Sequence, residues 1–350
     1  MKYFSISVAA LGLSWALSAQ PTLIPKYNGT LELSRRHQIE GMHYDPFDGA
    51  VAWLKNGELI VSHAEGYSSG DVVTSTCEGS GFFGITLRTA QGPARPIQIG
   101  RQACEAAFAE PSATHDGTTL YYSIRTAPNN SMLARLNLVT GRVDTVRTGC
   151  KIYSESPAVS PSDQAIAIEG LCESRHADYS IYLLRRDGTA LHRLPRRDSA
   201  SFEHPSWSPD GRQLAFVRRR EAPNASHTAS FVCAMDTAGR SVRQLAQGSS
   251  PSWSPDGKWI AFFNYEQREE VLRLVRPDGS ENHIAFKNSE RGMFSRGWGS
   301  MREGAPKAPA TWSPDGSELA FGRAYDRGTS VWRLNVRTGV LLPVTASPKR

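Results

Sequence analysis

Glu110, Glu155 and His204 are the side chains in this sequence best placed for chemistry. Each stands at, or one residue before, the same point of a recurring segment, where Ser156, Ser250 and Pro309 stand in other copies. Two carboxylates and an imidazole can exchange protons near neutral pH, or hold a small ligand or cation. That chemistry needs the copies to converge on one point. The bland alternative is a set of solvated polar side chains around water. No Gly-x-Ser-x-Gly elbow and no His-Glu-x-x-His pair is present, so no nucleophile or zinc-hydrolase site is expected. His37, His43 and His63 lie near one another without metal-ligand spacing, and the cysteines form no CxxC pair. The expectation is therefore no metal and no other cofactor, no assigned catalytic residue, and a ligand-binding group of Glu110, Glu155, His204 and Ser250.

The elements that must position these residues come from an internal repeat. His204–Phe216, Ser250–Phe262 and Pro309–Phe321 share the pattern Trp-Ser-Pro-Asp-Gly followed by a short apolar run. Glu110–Tyr122 and Ser156–Ile168 are degenerate copies, and Trp53–Val61 is a weaker one. The close copies recur at intervals of about 46 to 60 residues, the size of a supersecondary unit. Pro sets φ at the second turn position and Gly closes the turn, so each copy predicts a hairpin. The Trp before each turn is expected in the core between neighbouring units. A second turn follows each copy, at Gly92, Gly141, Gly188, Gly239, Gly279 and Gly339. Inner and outer hairpins together predict four strands per unit.

Trp-Ser-Pro-Asp-Gly with its Leu/Ile-Ala-Phe strand resembles the TolB-type, WD40-like propeller repeat, from about Ala50 to the C-terminus. The expected fold is all-β, a six-bladed β-propeller with four-stranded antiparallel blades. TolB proper has an additional α/β domain ahead of its propeller. Only about 30 residues separate the apolar leader from the first blade here, so its envelope role is not carried over. The related oligogalacturonate lyases hold a divalent metal in the channel with several histidines. This sequence has one histidine, His204, at the equivalent strand starts. Prolyl oligopeptidases follow a related propeller with a hydrolase domain, and none is expected after the sixth blade.

Propeller topology sorts the loops. Naming strands A to D outward from the axis, the A–B and C–D turns lie on one face, and the B–C loops and D–A connections on the other. The long segments His63–Gly81, Arg218–Ser230 and Asn288–Ala308 all fall on the second face, which is expected to meet a ligand or partner. Cys77, Cys104, Cys150 and Cys172 fall there too. Disulfides Cys77–Cys104 and Cys150–Cys172 are predicted, each stabilising by roughly 3 kcal/mol in the chain-entropy model. Cys233, in an apolar strand, is expected to be a buried free thiol. The insertion Arg291–Met301 carries Arg291, Phe294, Arg296 and Trp298, residue types enriched at interfaces. It reads as a partner surface or as a loop folded on the rim.

Lys2, the apolar stretch Phe4–Leu17 and the small residues Ala16, Ser18 and Ala19 read as an export signal cleaved before Gln20. The expected organisation is residues 1–19 signal, 20–49 extension and 50–350 propeller, in a periplasmic or secreted setting that permits disulfides. The net charge of +6 is dispersed, and without a basic stripe or a known motif nucleic acid is not an expected partner. No later segment is apolar enough to span a bilayer. The reading is a monomeric, non-enzymatic binding or scaffold protein that meets a protein or glycan through its loop-rich face. The alternative is a channel-mouth enzyme such as a polysaccharide lyase or hydrolase.

Overall fold

The computed structural model describes residues 47–65, 82–88, 95–97, 107–127, 130–146, 148, 156–170, 179–196, 198–220, 229–266, 269–287, 293–294, 308–325 and 328–345. These residues form an all-β propeller. Its first blade is β1 (Phe47–Trp53), β2 (Leu59–Glu65), β3 (Phe82–Arg88) and β4 (Arg95–Ile97). The second is β5 (Ala107–Ala113), β6 (Thr119–Ala127), β7 (Asn130–Asn137) and β8 (Val143–Val146). The third is β9 (Ala158–Val159), β10 (Ala165–Gly170), β11 (Ser180–Arg185) and β12 (His192–Arg193). The fourth is β13 (Ser201–Trp207), β14 (Gln213–Arg220), β15 (Ala229–Asp236) and β16 (Arg243–Gln247). The next is β17 (Ser249–Trp253), β18 (Ile260–Glu266), β19 (Glu269–Val275) and β20 (His283–Lys287). After β21 (Met293–Phe294), the C-terminal run is β22 (Thr311–Trp312), β23 (Glu318–Tyr325), β24 (Gly328–Asn335) and β25 (Leu341–Pro343).

The sheet count differs from the expectation of separate four-stranded blades. Four sheets have four strands each, but the fifth has nine, because β1–β4 and β21–β25 are joined. The join is one parallel pairing, Phe47 with Thr329, between β1 and β24. Within each half of that sheet the pairings remain antiparallel.

The repeated turn is held by side chains as well as by Pro and Gly. In the fourth blade Ser208 Oγ donates to Asp210 Oδ1 at 2.6 Å and accepts from the Gln213 amide at 2.9 Å. The same Asp oxygen accepts from the Arg212 amide at 3.0 Å. Ser254 with Asp256 and Ser313 with Asp315 repeat this arrangement, and Thr114 with Asp116 reproduces it with a threonine. The third turn departs from it. Ser160-Pro-Ser-Asp163 puts an aspartate where the others have glycine, at φ +59°, a conformation that Asp tolerates better than most residues. Its carboxylate then accepts from the His115 and Asp116 amides of the preceding turn, at 2.7 and 2.9 Å.

These turns make stability acid-sensitive. The hydroxyls of Ser208 and Ser313 hold the Asp210 and Asp315 carboxyls below the usual carboxylate range. For Asp116 and Asp256 burial acts in the opposite direction, and the turn hydrogen bonds outweigh it. A carboxyl depressed in the folded state adds stability above its unfolded value of about 3.9, and loses it as pH falls towards the folded value. The urea midpoint is therefore expected to fall below about pH 4, and Ser313→Ala is expected to flatten that fall. An unchanged acid limb in the variant would count against the hydroxyl's role.

Blades meet through apolar clusters that run in chain order. Ile60 and Leu54 pack with Leu120 and Tyr122, Tyr121 and Leu133 with Ile166 and Tyr182, and Ala167 and Ile181 with Phe202 and Phe216. Ala215 and Val232 pack with Trp253 and Phe262, and Phe263 and Leu272 with Trp312 and Phe321. Val51 and Val61 then pack with Ala320 and Val331, which brings the last run back to the first. Indole donors reinforce three joints. Trp207 Nε1 reaches the Ala158 carbonyl at 2.9 Å, Trp312 Nε1 that of Ser252 at 3.1 Å, and Trp53 Nε1 that of Thr311 at 3.0 Å. The prolines of the turns pack onto the next blade. A Cβ at Gly257 would lie 3.2 Å from Pro209 Cγ, so glycine at that corner also makes room for the neighbour.

Candidate functional site at the innermost strands

Glu110, His204 and Ser250 occupy the same irregularity in three innermost strands. In β13 the register runs Ser201 with Arg219 to Glu203 with Val217, then slips before Ser206 pairs with Ala215. Matching slips fall between Ala109 and Ser112 in β5, and between Ser249 and Ser252 in β17. Each contains an X-Pro step, where the proline has no N–H to give the ladder. His204 and Ser250 take φ of +50° and +52° there, an uncommon conformation for residues other than glycine.

The bulge turns His204 inward. It is 5% exposed, and its Nδ1 lies 3.0 Å from Ser156 Oγ, so the two innermost strands of the third and fourth blades are tied together. Its backbone amide donates to Glu169 Oε2 at 2.6 Å. Glu169, in β10, is itself buried. The adjacent Glu203 is buried and ion-paired to Arg219, with Nη2 2.6 Å from Oε1. Burial raises the Glu203 carboxyl, against the pull of Arg219 and His204. Beside this pair, Arg218 and Arg220 both bridge to Asp198.

A hydroxyl against an imidazole is the contact that a nucleophile and its base require. Here both partners are buried and span a blade joint, and the imidazole's own amide is clamped by a third residue. Ser250 is fully buried. The backbone of Glu110 lies in β5, and Glu155 lies outside the described residues. Phe294 is in β21, which pairs with β23; Arg291, Arg296 and Trp298 are outside the described residues. So are Cys77, Cys104, Cys150 and Cys172, with both predicted disulfides. Cys233 is a buried free thiol whose pKa burial pushes up to about 12, which keeps it protonated and unreactive. Among the described residues no three His, Cys, Asp or Glu side chains gather as metal ligands. No helix there is long and apolar enough to cross a membrane.

Sequence reasoning missed Glu169. It stands in β10 where the other copies carry Ser123, Val217, Phe263 and Gly322. A carboxylate among uncharged equivalents was the signal that could have found it.

The structure matches TolB from Acinetobacter baumannii with a TM-score of 0.54 and 19% identity, over 71% of this chain and 55% of that one. A putative TolB from Agrobacterium tumefaciens matches at 0.52 and 20%, over 69% and 81%. The fold is that of a TolB-like propeller. The match spans about half of the Acinetobacter protein's length. An oligogalacturonate lyase in complex with manganese matches the TolB-like propeller at 0.51 and 14%, over 86% of this chain and 90% of that one. No family model and no curated protein matches the sequence.

Proposed function

We propose that this chain is an exported, non-enzymatic, six-bladed propeller that engages a protein or glycan partner through the face bearing its B–C and D–A connections. The observation that carries this reading is the use of the polar groups at the innermost strands. Ser156, His204 and Glu169 are spent on joining two blades, as is expected of scaffold rather than of a reacting centre. The cycle of apolar clusters supports the count of six, with the nine-stranded sheet taken as two blades fused by the Phe47–Thr329 pairing. The N-terminal apolar stretch supports export.

Three measurements test the reading. Purified protein with oligogalacturonate and manganese should give no rise in the ultraviolet absorbance of an unsaturated uronide, whereas His204-dependent product would establish the enzymatic alternative. Mass spectrometry of the exported protein should find Gln20 at its N-terminus. Capture of a partner from the exported fraction should be lost when residues 291–301 are deleted, and an unchanged set of partners would remove that segment from the interface.

A further inference from the structure

The face opposite the long connections carries a cleft of its own. It lies between the third and fourth blades, has a volume of about 320 Å³, and is lined by Ser160, Ser162, Ala165, Trp207, Asp210 and Thr237, with Pro161 and Gly211 at its edges. That volume sits at the small end of ligand pockets.

The cleft falls where one copy of the repeat departs from the others. The residue whose amide donates to the turn hydroxyl is Ala165 in the third blade, but Thr119, Gln213, Trp259 and Glu318 elsewhere. Every counterpart is larger. With only a methyl group at this position, the indole of Trp207 is left partly exposed, as is that of Trp53, whereas Trp253 and Trp312 are each 8% exposed. Trp207 is nonetheless fixed, since its Nε1 donates to the Ala158 carbonyl at 2.9 Å. An aromatic side chain is thus held in place at no further ordering cost to a ligand.

We propose that this cleft is a subsite for the pyranose ring of a neutral glycan. The C–H face of a sugar ring carries weak positive character and suits the electron-rich face of an indole. The hydroxyls of Ser162 and Thr237 can donate or accept. The turn uses Asp210 Oδ1, which accepts from Ser208 Oγ and the Arg212 amide, so Oδ2 remains to accept from a ligand hydroxyl. Asp210 is the one charged residue of the lining and no cationic side chain joins it, which disfavours uronates and sulfated sugars. A larger peptide partner would find little apolar area here.

Saturation-transfer difference NMR on the full chain tests this, with methyl α-glucoside, methyl β-galactoside, methyl α-mannoside and N-acetylglucosamine as probes and galacturonate as the charged control. At least one neutral probe should show transfer to its ring protons. Ala165→Gln should reduce that transfer at least tenfold while leaving the thermal midpoint unchanged, since the fourth blade already carries glutamine at this position. Absence of transfer from all four neutral probes would overturn the proposal. So would undiminished transfer in Ala165→Gln, which places the sugar elsewhere, or stronger transfer to galacturonate. Partner capture that depends on residues 291–301 should be the same in Ala165→Gln, so failure of this site and failure of the loop-face reading are told apart.

Discussion

Gly248→Ala is expected to lower the free energy of unfolding by about 4 kcal/mol. Gly248 is the single residue between β16 and β17, at φ +154°, and its amide donates to the Ser230 carbonyl at 3.0 Å. A Cβ there would lie 2.4 Å from Phe262 Cδ2 and 2.6 Å from the Phe263 carbonyl oxygen. Neither can withdraw cheaply, because both phenylalanines are buried in blade joints. Backbone strain and overlap therefore add. Gly57→Ala is the control: at φ +82° its Cβ would meet nothing within 4 Å, and the expected cost is only the backbone term of about 1 kcal/mol. Urea unfolding followed by tryptophan fluorescence measures both. Equal losses would refute the steric argument.

Glu169→Ala is expected to cost about 3 kcal/mol, with Glu169→Gln recovering roughly half. The substitution strips the acceptor from the His204 amide, a buried donor whose left-handed backbone cannot swing to another acceptor. If the cluster is scaffold, partner binding per folded molecule should stay at the wild-type level in both variants. A variant with unchanged stability but lost binding would reverse the assignment and make Glu169 part of a ligand site.

Much of this fold was legible because a two-residue corner, Asp-Gly, recurs after Trp-Ser-Pro at blade intervals. The equivalence of Glu110, His204 and Ser250 was legible for the same reason. Their orientation was not. A bulge offsets the alternation of a strand by one residue, so the side chain expected at an open mouth at His204 turns into a joint instead. The turn serine escaped notice because proline and glycine explain a β-turn without it; only the geometry shows Ser208 bonding both to Asp210 and to the Gln213 amide. The parallel pairing of Phe47 with Thr329 had no local signature, since it depends on where two distant segments finish. The departure at Ala165 was visible in the sequence, but its consequence, an uncovered indole on the neighbouring blade, needed three dimensions.

Trp53 Nε1 meets the Thr311 carbonyl much as Trp312 Nε1 meets that of Ser252, although the first contact links the start of the chain to its end and the second links neighbours. The seam uses the same indole-to-carbonyl fastening as an interior joint, with one additional backbone pairing. Mechanically the molecule has no privileged beginning. A gene rearranged to open at another exposed connection, with the native ends spliced by a flexible tether, would ask nothing new of these contacts.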